Sequence, residues 1–270
     1  MNFIRSIKRA WEEKDSLLCV GLDTDPKRIP DHLHRKDSPV FEFNRAVIDH
    51  TFDLICAYKI QIAFYSASDT DHELCRTIDY IHETYPDTPV ILDAKRGDIG
   101  STADMYALEV FDRYRADAVT VNPYMGGDTL EPFLRRKEKG IIILCRTSNP
   151  GAKDIQDLES NGKKIYQIIA HKATTEWNDN GNVLLVAGAT YPGELKEIRG
   201  IAGDMPFLVP GIGAQGGDVE KTVKSGKTRD GTGMIINSSR GIIYAGKGTD
   251  FAEKARNIAL QLRDEINRYR

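Results

Sequence analysis

Short runs of aliphatic and β-branched residues recur along the whole chain, and polar stretches separate them. Each run has the length and residue types of a buried strand. The predicted strands span residues 17–23, 57–62, 90–95, 118–122, 141–146, 183–189, 207–213 and 234–239.

The stretches between these runs carry apolar residues at helical spacing, for example Val40, Phe43, Val47 and Ile48. Strands that alternate with helices pair in parallel through crossover connections, and nearly continuous apolar strands fit a sheet covered on both faces. Eight such units predict a single-domain (β/α)8 TIM barrel over residues 1–270. An open doubly wound sheet is the alternative, but no GxGxxG opens the first helix.

Composition and charge narrow the class of partner. The 270 residues contain 37 Lys and Arg against 40 Asp and Glu, a net charge of -3, which disfavours a nucleic-acid-binding protein. No apolar run reaches the roughly 18 residues of a membrane span, and the start of the chain has helical rather than signal-peptide spacing. We therefore expect a cytoplasmic protein that binds neither nucleic acid nor membrane.

Cysteine and histidine offer little chemistry in this sequence. Cys19, Cys56, Cys75 and Cys145 form no CxxC pair and lie in apolar segments, so we interpret them as packing residues. The six histidines fall in predicted helices or early loops rather than at the carboxyl ends of strands, so a metal site made from them is not expected.

Charged residues lie at the predicted carboxyl ends of neighbouring strands, where the active site of a TIM barrel is built. Asp93 and Lys95 are two residues apart in one strand and should face the same side. Asp23 and Lys59 end two adjacent strands. A structural ion pair is the simplest interpretation, and Asp98 could merely cap the following helix.

A lysine in such a cluster can act as a general acid or, beside an apolar wall or another cation, form a Schiff base. The carboxylates that flank Lys95 favour its ammonium form, and hence a proton donor.

Two glycine-rich loops follow the last two predicted strands. They span residues 210–217 and 238–241, and the second contains Arg240. Glycines let backbone N–H groups approach an anion, and an arginine can fork onto two phosphate oxygens, so we expect a phosphate site. The alternative is that these glycines only make tight turns.

The polar loop 147–162 after the fifth strand is a candidate lid, and its Ser148 could contact a ligand ring. The segment 224–233 precedes the last strand and should lie on the opposite face of the barrel.

Taken together, these motifs resemble the orotidine 5′-phosphate decarboxylase family. They are DAKRGDI at 93–99 with Thr102, SNPG at 148–151, PGIGAQGG at 210–217, and the Arg240 loop. The resemblance covers residues 22–244. Extra residues at 24–37, 152–163 and 225–232 are similar to the longer bacterial branch of the family.

The resemblance implies that orotidine 5′-phosphate is decarboxylated to uridine 5′-phosphate in pyrimidine biosynthesis, with no cofactor and no metal. It also implies a homodimer in which Asp98 and Thr102 complete the partner's site. The resemblance further implies that Lys59, Asp93 and Lys95 form the charged cluster and that Lys95 is the proton donor. Asp23 and Lys59 would contact the ribose, and Ser148 would contact the pyrimidine. Gln215 and Arg240 would bind the phosphate, and Pro210 would be a further substrate contact.

Two other functions remain open at this point. A magnesium-dependent sugar-phosphate decarboxylase or aldolase on the same barrel resembles this cluster, but it places a metal-binding Glu near the position of Lys59. A nucleotide-binding regulator without activity would keep the phosphate loops, yet it has no need of four charges in the barrel mouth.

Overall fold

Eight parallel strands close into a barrel in the computed structural model, which describes residues 2–212 and 217–270. Each strand pairs with its sequence neighbours, and β1 closes the ring by pairing with β8, Leu18 opposite Ile236. The strands are β1 Leu18–Gly21, β2 Ala57–Gln61, β3 Val90–Arg96, β4 Ala118–Val121, β5 Gly140–Arg146, β6 Val183–Ala187, β7 Phe207–Pro210 and β8 Met234–Ser238.

Helices connect the strands and cover the outside of the barrel. They are α1 Phe3–Glu13, α2 Pro39–Thr51, α3 Ile62–Ser66, α4 Asp71–Thr84, α5 Gly100–Leu108, α6 Glu131–Leu134, α7 Lys153–Gln156, α8 Ile165–Thr175, α9 Pro192–Ala202, α10 Val219–Gly226, α11 Arg240–Ile243 and α12 Phe251–Asn267. Short 3-10 turns occupy Pro26–Arg28, Asp31–Arg35, Phe52–Leu54, Gly127–Thr129 and Pro150–Ala152, and a π-helical turn follows α5 at Glu109–Arg113.

The predicted closed barrel is confirmed, and the open doubly wound sheet is wrong because the first and last strands are hydrogen-bonded to each other. All eight predicted strands are present, with shifted ends. β1 ends at Gly21 and β7 at Pro210, so Asp23, Gly211 and Ile212 lie beyond the strand ends, and Gly213 lies outside the described residues. The insertion 152–163 contains α7 and most of a small antiparallel hairpin of Glu159–Ser160 and Lys163–Lys164.

The core lies inside the barrel and between the strands and the helices. The predicted packing role is confirmed for Cys19, Cys56 and Cys145, which are buried free thiols, while Cys75 is half-buried. α1 covers the amino-terminal end of the barrel, where a side chain on Gly140 would collide with the ring of Phe3. Among the helices that the structure describes, none combines the length and the apolar character needed to cross a bilayer.

The amino-terminal face also carries the segment 224–233, as predicted. The carbonyl of Gly233 accepts a hydrogen bond of 3.0 Å from the amide of Phe207, the first residue of β7. The carboxyl ends of the strands, on the opposite face, therefore hold the residues predicted to form the active site.

Candidate active site

A cavity of about 560 Å³ opens at the carboxyl ends of the strands. This volume suits a small-molecule ligand of nucleotide size. Seven of the predicted site residues line it, which are Asp23, Lys59, Asp93, Lys95, Ser148, Pro210 and Arg240.

Four of these residues form a chain of alternating charges. Lys59 Nζ lies 3.2 Å from Asp23 Oδ1 and 3.2 Å from Asp93 Oδ2, and Lys95 Nζ lies 2.7 Å from Asp93 Oδ1. Lys59 is 3% exposed and Asp93 8%, so their charges are compensated by each other rather than by water. The ammonium of Lys95, in contrast, reaches into the open part of the cavity, and its side chain is 46% exposed.

The environment keeps both buried residues of this charged cluster, Lys59 and Asp93, in their ionised forms. Burial alone would raise the pKa of Asp93, but the positive charges of Lys59 and Lys95 outweigh it and hold that pKa well below its usual range. Burial alone would lower the pKa of Lys59, yet the charges of Asp23 and Asp93 raise it above the ordinary lysine value. The cluster thus presents a fixed carboxylate beside an accessible ammonium.

Asp93 and Lys95 share one side of β3, as predicted, but for a different reason. β3 is irregular between Leu92 and Arg96, and Lys95 adopts the left-handed conformation with φ of 47°. Side chains therefore do not alternate regularly between the two faces of β3 at this point. The local backbone, rather than strand alternation, brings the ammonium against the carboxylate.

Thr120 belongs to this cluster, although it is not among the site residues predicted from the sequence. Its hydroxyl accepts a hydrogen bond from the amide of Lys95 at 2.9 Å and donates one to Asp93 Oδ1 at 2.8 Å. The signal that could have found it is its position as a hydroxyl residue inside the apolar run 118–122, beside the strand that carries Asp93.

An apolar wall completes the cavity. Apolar side chains lower the local polarity and so strengthen electrostatic interactions beside them. The side chains that form it are Phe64, Leu144, Val186, Leu208 and Ile212.

The segment after β5 contributes Thr147, Ser148 and Asn149 to the cavity wall. The side-chain amide of Gln156 holds Thr147 at two points, since its Oε1 accepts from the Thr147 amide at 2.9 Å and its Nε2 donates to Thr147 Oγ1 at 2.9 Å. Thr190 Oγ1 donates to the carbonyl of Ser148 at 3.3 Å. The beginning of the predicted lid loop is thus hydrogen-bonded to neighbouring elements.

Arg146, at the end of β5, contacts the residues that hold this segment in place. Its side chain is 1% exposed, forms ion pairs with Glu194 and Asp157, and donates from Nη1 to Gln156 Oε1 at 3.4 Å. The ring of Tyr191 lies 4.9 Å from its guanidinium carbon. Arg146 therefore holds the loop after β5 against the start of α9.

The described parts of the two predicted phosphate loops follow β7 and β8, which pair with each other, and they line one side of the cavity. Gly211, with φ of 104°, and Arg240 both line it. β1 approaches this side closely at Gly21, where an added Cβ would lie 1.7 Å from Ser239 Oγ. Gln215 lies outside the described residues.

Asp98 and Thr102 do not line the cavity of this chain. The Asp98 carboxylate accepts a hydrogen bond from the amide of Ile99 at 2.8 Å, and Thr102 is exposed on α5. Apolar side chains beside them are strongly exposed, Ile99 at 61% and Met105 at 63%. In the single chain Thr102 is therefore exposed and Asp98 half-buried, and both lie outside the cavity.

Metal-ligating side chains do not cluster in residues 2–212 and 217–270, where no group of three or more His, Cys, Asp or Glu is placed to hold an ion.

The comparisons with known proteins agree with one another. Residues 16–255 match the model of the orotidine 5′-phosphate decarboxylase / HUMPS family. A curated relative from Azoarcus sp. (strain BH72), named orotidine 5′-phosphate decarboxylase, is 55% identical over 270 residues, which is 100% of both chains. The structure titled Leishmania donovani OMP decarboxylase has a TM-score of 0.82 at 35% identity and covers 98% of this chain and 99% of its own. The structure of Leishmania donovani UMP synthase has a TM-score of 0.88 at 38% identity, and this chain matches 56% of its length.

Proposed function

The chain belongs to the orotidine 5′-phosphate decarboxylase / HUMPS family, and from that premise we propose how it removes CO2 from orotidine 5′-phosphate to give uridine 5′-phosphate. It is a carboxy-lyase of pyrimidine biosynthesis, since a curated relative of that name matches it over the whole length. We propose that the whole chain forms one catalytic domain and that the residues at the carboxyl ends of its strands perform the reaction.

Lys95 is the proposed proton donor. When the C6–carboxyl bond breaks, CO2 leaves and the electron pair stays on C6 of the pyrimidine, where no conjugated group accepts it. The ammonium of Lys95 stabilises this carbanion by its charge and then transfers a proton to C6. The observation that carries the proposal is the contact of 2.7 Å between Lys95 Nζ and Asp93, at the mouth of a cavity of nucleotide size.

Asp93 and Lys59 prepare the donor. Asp93 remains ionised because its pKa is held low, so it keeps Lys95 positively charged and repels a substrate carboxylate placed beside it. That repulsion disappears as neutral CO2 forms, which favours the transition state over the bound substrate. Lys59 contacts Asp93 from the other side, and we assign the binding of the ribose hydroxyls to Lys59 and Asp23, which contact each other.

The opposite end of the substrate provides binding energy. Arg240 and the backbone of the two glycine-rich loops would hold the phosphate, with Pro210 and Gln215 as further contacts in the first loop. Ser148 would contact the pyrimidine from the segment after β5. Binding energy from a remote phosphate can be used to position the reacting carbon against Lys95.

We also propose a homodimer in which Asp98 and Thr102 of one protomer complete the site of the other. Thr102 is exposed and Asp98 half-buried in the single chain, and the apolar side chains of Ile99, Met105 and Leu108 near them in sequence are exposed. An apolar patch of this kind is typical of a protein interface. Because a phosphorylated nucleotide does not cross membranes unaided, we place the reaction in the cytoplasm, where the product is used.

Decarboxylation in D2O tests the proposal. Purified protein with EDTA is given orotidine 5′-phosphate, and the expected product is uridine 5′-phosphate with one deuterium at C6, read by NMR. Absence of turnover would contradict the activity, and activity that is lost with EDTA and restored by Mg²⁺ would favour the metal-dependent alternative.

A further inference from the structure

We propose that Thr120 is a positioning residue of this active site, whose single hydroxyl group fixes both the backbone of Lys95 and the carboxylate of Asp93. The inference rests on the proposed roles of these two residues in decarboxylation. It adds a residue of β4 to a cluster that otherwise comes from the ends of β1, β2 and β3.

The polarity of the two hydrogen bonds is determined by chemistry. An ionised carboxylate only accepts, so the hydroxyl proton of Thr120 must point to Asp93 Oδ1, 2.8 Å away. An amide only donates, so the N–H of Lys95 must point to a lone pair of the same oxygen, 2.9 Å away. Thr120 is 1% exposed, which leaves water little access to replace either partner.

The strand pairing explains why Lys95 needs this partner. Leu92 pairs with Val119, and the next pair is Arg96 with Val121, so three residues of β3 lie opposite Thr120 alone. The bulge removes the regular strand acceptor for the Lys95 amide, and the Thr120 side chain takes its place. The left-handed backbone of Lys95, with φ of 47°, is strained for a residue with a side chain and depends on its surroundings to hold it.

The second hydrogen bond fixes the rotation of the Asp93 carboxylate. Oδ1 accepts from Thr120 and from Lys95 Nζ, while Oδ2 faces Lys59. Without Thr120, the carboxylate can turn and the Lys95 backbone can relax, and both changes move the ammonium away from C6. Misplacement of a reacting group by about 1 Å can cost about 100-fold in rate.

The test compares two substitutions at this position. Thr120→Val removes the hydroxyl but keeps the shape, and we expect kcat for orotidine 5′-phosphate to fall about 10- to 100-fold. KM should change less than about 3-fold, because the residues proposed to bind phosphate and base are not touched. Thr120→Ser restores the hydroxyl and should recover most of kcat. If Thr120→Val does not fold, Thr120→Ala is judged by the same criterion.

Two controls separate positioning from a general loss of stability. Thr51 is also fully buried with two hydrogen bonds, to the Val47 carbonyl and the Tyr58 hydroxyl, but it lies outside the site, so Thr51→Val should lower stability and leave kcat unchanged. In a Lys95→Ala background, Thr120→Val should have no further effect on kcat.

A wild-type rate for Thr120→Val, or an equal loss in both backgrounds, would overturn the inference while leaving the decarboxylase function intact. A wild-type protein that does not decarboxylate the substrate would instead contradict the proposed function.

Discussion

Lys59 is the central cation of the charged cluster, and its replacement by methionine gives a prediction whose size follows from the structure. Lys59→Met keeps a similar shape and removes the charge that lies 3.2 Å from a carboxylate oxygen of both Asp23 and Asp93. At an effective dielectric constant of about 20, each pair attracts by about 5 kcal/mol. Desolvation of each buried ion costs several kcal/mol, so the intact cluster contributes little net stability.

Removing one partner is different, because it leaves carboxylates without compensation. We expect Lys59→Met to lower the free energy of unfolding at pH 8 by about 3 kcal/mol, the lower end of the usual range for a broken buried pair. The lower end applies because Asp93 keeps its contacts with Lys95 and Thr120. Decarboxylation should also fall, since Asp93 is then held from one side only.

The pH dependence identifies the cause. In the wild type the pKa of Asp93 lies below its unfolded value, so its stabilising contribution is present above about pH 4 and is lost only as the pH falls through the lower folded value. The pKa of Lys59 is raised, so the contribution of Lys59 is constant from pH 4 to 8. In the variant we expect the pKa of Asp93 to rise because the charge of Lys59 is gone. Protonation of Asp93 at low pH then removes the cost of burying an uncompensated carboxylate. The difference between the two proteins should therefore shrink as the pH is lowered from 8 towards 4.

Urea unfolding at fixed protein concentration, followed by circular dichroism at pH 8 and pH 4, measures this difference. Lys14→Met is a matched control, because Lys14 Nζ is also partly buried but donates to the Phe52 carbonyl and to Thr88 Oγ1, each at 2.8 Å. The decrease in the free energy of unfolding caused by Lys14→Met should be the same at the two pH values. The reasoning is refuted if Lys59→Met has the same free energy of unfolding as the wild type at pH 8, or if the difference between the two proteins is equal at pH 8 and pH 4.

Three further predictions address the rest of the site. Arg240→Ala should lower kcat/KM for orotidine 5′-phosphate about 100-fold and leave orotidine, which lacks the phosphate, nearly unaffected; equal losses would contradict the phosphate assignment. Gln156→Leu removes both hydrogen bonds to Thr147 and should raise KM about 10-fold with intact thermal stability, an unchanged KM being the contrary result. Asp98→Ala and Lys95→Ala should each be nearly inactive alone and regain activity when mixed and allowed to exchange subunits; a mixture no more active than its parts would remove Asp98 from the partner's site.

Much of this site could be predicted from sequence, because a barrel brings the carboxyl ends of all its strands to one face. The predicted strand runs therefore sufficed to bring Asp23, Lys59, Asp93 and Arg240 to one cavity, although they are far apart in the chain. Their chemistry could be inferred as well, since buried opposite charges must compensate each other.

The backbone irregularities could not be predicted, and they decide the details. The bulge in β3 gives Lys95 its left-handed conformation and gives Thr120 its role. A second irregularity, in β5 between Leu144 and Arg146, has a related effect. Leu144 faces the cavity, yet Arg146, two residues later, is buried against Glu194 instead. Strand alternation misplaces a side chain wherever a bulge intervenes. The proposed place of Asp98 in a partner subunit follows from the family resemblance alone, because the strand pattern of one chain carries no information on a second chain.

The ammonium of Lys95 is the centre of the proposed mechanism, and one comparison of rates tests its role. Wild type and Lys95→Ala are assayed for decarboxylation of orotidine 5′-phosphate by the change in pyrimidine absorbance, after binding of uridine 5′-phosphate shows that both proteins keep the site. We expect the variant to bind the product and to lose at least about 1000-fold in kcat, as for the loss of a group that both stabilises charge and transfers a proton. Decarboxylation by Lys95→Ala at near the wild-type rate would contradict the central claim.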